Sequence, residues 1–136
     1  MDCLFCKIIK KEIPAEVVYE DSETLAFLDV NPRAPGHTLV VPRGHFETIL
    51  DLPNQAIGPL FGAVKKVEGS IVKALAPDGF TIGINQRRVA GQVVDHLHIH
   101  IFPRFYNDGG GSVHSVLNNP PGESIGEIAS RIRSQN

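Results

Sequence analysis

The stretch DHLHIHIFPR, residues 95–104, sets His96, His98 and His100 at alternate positions, with Leu97, Ile99 and Ile101 filling the gaps. Strict alternation of this kind is the period of a half-buried β-strand. On a strand, residues i, i+2 and i+4 share one face at steps of about 6.6 Å. The three imidazoles are thus expected on one face and the three aliphatic chains on the other. The outer two histidines would lie about 13 Å apart, which argues against one metal ion held by all three. What remains is chemistry by neutral imidazoles: attack on phosphorus, proton transfer, or hydrogen bonding to phosphate oxygens. The competing reading is a polar outer face on which histidines are merely tolerated.

The residues just upstream favour chemistry. NQRRVAGQ (85–92) supplies Asn85, Gln92 and backbone N–H groups near Gly91, and it feeds directly into the histidine strand. A glycine-containing loop can approach a phosphate closely and present N–H donors to it.

Further out, EVVYED (16–21), TLAFLDV (24–30), HTLVVP (37–42) and FTIGIN (80–85) read as strands, and 95–102 as the fifth. From Pro53, the residues Ile57, Leu60, Phe61, Val64, Val67, Ile71 and Leu75 recur at three- and four-residue steps. This spacing predicts one long amphipathic helix, ended by APDG at 76–79. Gly58, Gly62 and Gly69 weaken its propensity, so packing must hold it. After Pro103 the chain reads as irregular, with NDGGGS (107–112) flexible, His114 in an exposed loop and NNPPG (118–122) a turn. Ser124 and Glu127 are spaced as a capping box for a short closing helix. The expected class is α+β: a five-stranded, mainly antiparallel sheet with one long helix packed on it and a short C-terminal helix.

A chain of 136 residues suits one domain, with residues 1 to about 104 as its core and 105–136 as a tail. Its formal net charge of -2 provides no field to recruit nucleic acid, and no basic stripe with stacking aromatics is present. No apolar run approaches the ~20 residues of a membrane span, and the start lacks a signal-peptide pattern. A soluble, cytoplasmic protein that binds neither nucleic acid nor membrane is expected. The two cysteines, Cys3 and Cys6, form a Cys-x-x-Cys pair that reads as metal ligands, a redox dithiol or two reduced, unligated thiols. No thioredoxin-like βαβ pattern surrounds them.

GQVVDHLHIHIFPR resembles the signature of the histidine triad (HIT) superfamily: Gly-Gln, a short spacer, then histidines alternating with apolar residues. FLDVNPRAPGHTLVVPRGH (27–45) is similar to that family's upstream segment, with its further histidine at His37. CLFCKIIKKEIPAEVVYED is similar to the start of its Hint branch and of bacterial members. The resemblance runs from residue 3 to about 104. It implies hydrolysis or transfer at the α-phosphate of an adenosine phosphoramidate or dinucleoside polyphosphate. His98 would be the nucleophile that becomes nucleotidylated. His100 would contact the phosphate and assist the leaving group, with His37 and Gln92 supporting the site. Asn85, Gly91, Gln92 and Val93 fall on loop positions beside the phosphate, and Asp29 where the ribose hydroxyls bind. Leu4, Phe5, Ile8, Ile13, Phe27 and Val30 fall on positions that sandwich the base of an AMP-like purine nucleotide. Asp29 could equally cap a turn, and the apolar set could equally be plain core.

The resemblance further implies a homodimer and a structural zinc ion on Cys3, Cys6, His45 and His96. One position departs from the pattern: Ser or Thr often follows the glutamine, and Val93 offers only its backbone N–H. A binding module that keeps the fold without catalysis is the alternative to an enzyme, although a pure binder has no need of a nucleophilic imidazole.

Overall fold

The computed structural model describes residues 2–136. Five strands, β1 (Val17–Glu20), β2 (Thr24–Leu28), β3 (Thr38–Pro42), β4 (Gly79–Gly83) and β5 (Ile99–Arg104), form one antiparallel sheet in the order β1-β2-β3-β5-β4. Three helices accompany it: α1 (Leu4–Ile9), α2 (Asn54–Leu75) and α3 (Ile125–Arg133). The α+β class with its long and short helices is as expected. No helix among the described residues is long and apolar enough to cross a membrane.

β1, β2 and β3 lie inside the stretches read from the sequence, β4 begins one residue earlier, at Gly79, and β5, which differs most, ends two residues later, at Arg104. It begins at Ile99, so His96 and His98 precede the ladder rather than sitting in it. The three histidines therefore do not form one continuous strand face. Helix α1 was not anticipated, because six residues carry too little periodicity to separate a turn of helix from a loop. It is capped from Cys3, whose Sγ accepts a hydrogen bond from the Cys6 amide at 3.4 Å. At the other end of the chain the capping box is present: Ser124 Oγ accepts from the Glu127 amide at 3.1 Å.

The central strands are covered on both faces, so β2 and β3 bury nearly every residue. On one face, Leu60, Ala63, Val64, Val67 and Ile71 of α2 pack on Ala26, Val40, Ile99 and Ile101. Each large side chain buried there contributes about 1.5–3 kcal/mol, which offsets the weak propensity of a helix with three glycines. Ile57, Phe61 and Leu75, expected on the buried face, instead remain partly exposed, because α2 touches the sheet along a narrower stripe than its apolar residues span. On the opposite face, Phe5 and Ile8 of α1 pack on Leu25, Phe27, Leu39 and Val41. In register, Leu39 pairs with His100 and Val40 with Ile99. The period-2 rule then puts His100 on the α1 side and Ile99 on the α2 side.

Two turns hold the strands that carry the site. At Asp21, Oδ1 accepts from the Glu23 amide, the Thr24 amide and Thr24 Oγ1, each at 2.8 Å. These donors outweigh burial and lower its pKa to about 2. Ahead of β3, Gly36 has φ +85°, and a Cβ there would meet Leu75 Cδ1 at 2.7 Å and Pro103 Cγ at 3.2 Å. The turn delivering His37 thus requires glycine both conformationally and sterically. G36A should lower the unfolding free energy by about 1–3 kcal/mol, measured as a shifted urea midpoint. An unchanged midpoint would show that the turn tolerates a Cβ.

Candidate functional site

A cavity of about 630 Å³ opens between α1 and the α1 side of the sheet, within the usual size of a small-molecule site. Leu4, Phe5 and Ile8 of α1, with Ile13 and Phe27, make an apolar wall. Asp29, Val30, Asn85, Gly91 and Val93 border the same space, as do His100 of β5 and His37 and His98, each just ahead of a strand. Residues singled out along the whole chain are thereby brought together, because α1 folds back over β2 and the loop after β4 leads into β5. Gln92 is not among the lining residues. Its Nε2 donates to the Glu47 carbonyl at 2.7 Å, and its Oε1 accepts from the Arg87 amide at 2.8 Å. The amide therefore braces the loop that carries Gly91, while Arg87 sits at φ +75° within it.

Backbone groups fix the tautomers of the buried imidazoles. His98 Nδ1 donates to the His96 carbonyl at 2.7 Å, so the neutral ring carries its lone pair on Nε2. The Arg33 amide donates to His37 Nδ1 at 3.1 Å, which puts the His37 proton on Nε2. That Nε2–H lies 3.0 Å from His100 Nδ1, which must accept, and so His100 carries its own proton on Nε2. No buried side-chain nitrogen or oxygen lacks a partner among the described residues. The free Nε2 atoms of His98 and His100 therefore open to the cavity, one as a lone pair and the other as a donor.

Burial pushes the pKa of His37, His98 and His100 down, and His100, which also faces His98 and His37, falls to about 4. All three are neutral near pH 7. Asp29 opposes this shift weakly: its Oδ2 lies 3.6 Å from His37 Nε2, and its Oδ1 caps the turn by accepting from the Asn31 amide at 2.9 Å. The trio Asp29, His37 and His100 is close enough to suggest a metal site. The tautomer chain opposes that, since His37 Nε2 is a donor rather than a ligand.

A second cluster lies beside the cavity. One ligand atom each from Cys3, Cys6, His45 and His96 lies within 4.8 Å of every other. His96 Nδ1 sits 3.5 and 3.6 Å from the sulfurs of Cys3 and Cys6, and His45 Nδ1 sits 3.4 Å from Cys6 Sγ. A tetrahedral zinc ion with ordinary bond lengths separates its sulfur and nitrogen ligands by about 3.6 Å. His96 Nε2 donates to the Pro42 carbonyl at 2.9 Å, leaving Nδ1 as a lone pair aimed at both sulfurs. These residues fit a structural metal ion. Phe5 joins cluster and cavity: its ring centroid is 5.0 Å from that of His98 and 6.0 Å from that of His96, both edge-on.

Phe102 and Arg33 also border the cavity and were not anticipated. Phe102 could have been found, since it continues the alternation two residues beyond His100. Arg33 lies on a loop, where no periodicity points inward. His114 is exposed, as expected, in a single 3-10 turn (Val113–Ser115).

The HIT domain family model matches residues 10–107 of the chain. The chain is 39% identical over 104 residues to an adenosine 5′-monophosphoramidase of Schizosaccharomyces pombe, covering 76% of this chain and 75% of that protein. It is 41% identical over 107 residues to an adenylylsulfatase of Arabidopsis thaliana, covering 79% of this chain and 54% of that protein. A crystal structure of a HIT family member from Bacillus subtilis superimposes with a TM-score of 0.89 at 36% identity, covering all of this chain and 98% of that one.

The depressed histidine pKa values make stability pH-dependent. Above about pH 6.5 the rings are neutral in both folded and unfolded chains, so they contribute no slope. Below it the unfolded chain takes up protons that the fold resists, so stability falls from about pH 6.5 down to the folded value, about 4 for His100. His100→Gln should make the thermal midpoint less sensitive to pH over that window, compared with the wild type at equal metal content. Parallel pH profiles for the two proteins would contradict this.

Proposed function

This chain belongs to the HIT domain family, and on that premise we propose that it is a nucleotide hydrolase acting at the α-phosphate of adenosine phosphoramidates or dinucleoside polyphosphates. The observation that carries the reading is the 2.7 Å bond from His98 Nδ1 to the His96 carbonyl, which leaves an unprotonated Nε2 facing the cavity. That Nε2 attacks phosphorus, the P–N bond forms, and the leaving group departs with the electrons of its bond. A water then attacks the nucleotidyl-histidine, the P–N bond breaks and the lone pair returns to Nε2. Splitting one displacement into two is the benefit of covalent catalysis.

His100 Nε2–H donates to a phosphate oxygen, where charge builds in the transition state. His37 keeps that tautomer in place, and Gln92 acts through the loop it braces. The apolar wall of α1, Phe27 and Val30 receives the purine, and Asp29 the ribose hydroxyls. The names of the Schizosaccharomyces and Arabidopsis relatives support adenosine nucleotides as the substrate class. H98A should reduce AMP release from adenosine phosphoramidate by on the order of 10⁴-fold or more, followed by chromatography of the products. Wild type and H98A equally inert on every nucleotide tested would favour a binding module instead.

The same reading includes a structural zinc ion on Cys3, Cys6, His45 and His96. When bound, the ion supplies folding free energy and takes no part in the reaction. It also includes a homodimer, supported by the free outer edge of β4 and the exposed Phe61 and Leu75 of α2. The reading has the protein act in the cytoplasm, where thiolates stay reduced. Native mass spectrometry reads ion and partner together: two chains and two zinc ions are expected, with zinc lost in Cys3→Ser. A metal-free wild type of undiminished stability would remove the ion from the reading, and a single-chain mass would remove the dimer.

A further inference from the structure

A second cavity, of about 200 Å³, lies beside the first, and Phe102 stands in the walls of both. Its other side chains are mostly polar: Thr81 of β4, Arg104 at the end of β5, Asp108 of the following loop and the exposed Arg33. Arg104 holds Asp108 through Nε at 2.6 Å and Nη2 at 3.0 Å, which orders a loop that reads as flexible in the sequence. The volume equals that of about seven water molecules in the liquid. On its other side, Phe102 lies against two imidazoles at once. Its ring centroid is 4.3 Å from that of His37 and 5.4 Å from that of His100, whose plane is only 3° from its own. One aromatic ring therefore separates the His37–His100 pair from a polar space large enough for water.

That pair is held differently from its neighbours. His37, His96 and His98 each have a main-chain partner: the Arg33 amide, the Pro42 carbonyl and the His96 carbonyl. Among the described residues His100 has only the His37 Nε2–H, received on Nδ1 at 3.0 Å. The direction of the His100 donor thus depends on a bond between two titratable side chains. A proton added at His100 Nδ1 would set N–H against N–H across that 3.0 Å, and the ring would turn away. His37 and His98 stand beside His100 with centroids 5.3 and 5.1 Å away, and positive charge on either would oppose that proton. The Asp29 carboxylate favours it. Arg33 and, beyond Phe102, the Arg104–Asp108 pair complete the charged groups on this side. Leu39 of β3 and Gly83 of β4, which pair with His100 in register, carry no charge, nor do Leu4, Phe5 and Ile8 of α1. Burial is the largest cause of the depressed His100 pKa of about 4, and Phe102 supplies that burial on the side of the second cavity.

We propose that Phe102 is a positioning residue: it shuts the water and charges of the second cavity away from the His37–His100 bond and so keeps the His100 Nε2–H aimed at the phosphate. The assignment rests on the role given to His100 in the proposed function. It gives Phe102 a task beyond packing, since a ring that only filled space would leave the titration of His100 unchanged. The effect also has a sign. A cation over an aromatic face is attracted to it, so a ring that acted as a partner for imidazolium would raise the His100 pKa, whereas a shield lowers it. Removing the ring moves His100 in opposite directions in the two cases.

The test reads the His100 ring directly, from imidazole nitrogen-15 chemical shifts of the free protein across pH, with His100→Gln identifying the signal. In wild type His100 should titrate at about 4. In F102A its pKa should rise toward the ordinary value of about 6.5, and the Nε2–H tautomer should give way to a mixture. F102L keeps an apolar shield and should stay near wild type. F102T keeps strand propensity and carries the same expectation as F102A where alanine folds poorly. kcat/KM for AMP release from adenosine phosphoramidate reports the same free-enzyme ionisation. With a pKa near 6.5, about three-quarters of His100 is charged at pH 6, so the F102A-to-wild-type ratio should be about four-fold lower at pH 6 than at pH 8. A His100 titration in F102A and F102T that matches wild type, or moves down, would overturn the role of Phe102. A raised pKa beside a pH-independent ratio would overturn its link to the phosphate. Wild type that releases no AMP at any pH would overturn the catalytic reading instead, and the titration would still decide whether Phe102 shields His100.

Discussion

The hydrogen bond from His98 Nδ1–H to the carbonyl of His96 ties the two clusters of this molecule into one unit. Its acceptor belongs to the residue whose side chain turns the other way, toward the sulfurs of Cys3 and Cys6. A shift in the His96 peptide would therefore disturb the Cys/His geometry and the direction of the His98 lone pair at the same time. Helix α1 reinforces this coupling, since it brings Cys6 to one cluster and Phe5 to the other. Much of what lies on the α1 side of the sheet depends on this short segment ahead of β5.

Burying several imidazoles in one small domain is costly unless each ring nitrogen that loses water finds a partner. The main chain supplies half of those partners: Pro42 and His96 carbonyls accept, and the Arg33 amide donates. Main-chain partners have two consequences. They set the tautomers of His37, His96 and His98 without another titratable group, and they hold those rings beside the ends of β3 and β5. Desolvation then keeps the rings neutral near pH 7, as a nucleophile and a neutral donor require. The two nitrogens left over are those that open to the cavity.

Much of this was legible in the chain itself. The long helix followed from apolar residues at three- and four-residue steps, and the strands from alternation and turn residues. The candidate residues followed from motif positions, and the cavity gathers nearly all of them, with Gln92 set back in a bracing position. Helix α1 was not legible, because six residues show no period. Nor was the early divergence of His96: alternation alone predicts a shared face, and only the late start of β5 breaks it. The loop around Asp108 reads as flexible from its glycines, yet a bidentate contact with Arg104 orders it. That contact depends on where β5 ends, which residue types alone do not specify.

By itself, the sequence determined the α+β class, the residues able to carry chemistry, and the separation of three alternating histidines from any single metal ion. These follow from short-range rules, the repeat of a strand or helix and the valence of a side chain, which act over a few neighbouring residues. Only the tertiary structure decided which nitrogen of each ring is free, which residue faces which cluster, and that Arg33 and Phe102 border the cavity. Those features depend on contacts between segments up to 93 residues apart, such as Cys3 with His96. They exist only once the sheet order and the packing of α1 have brought such segments together.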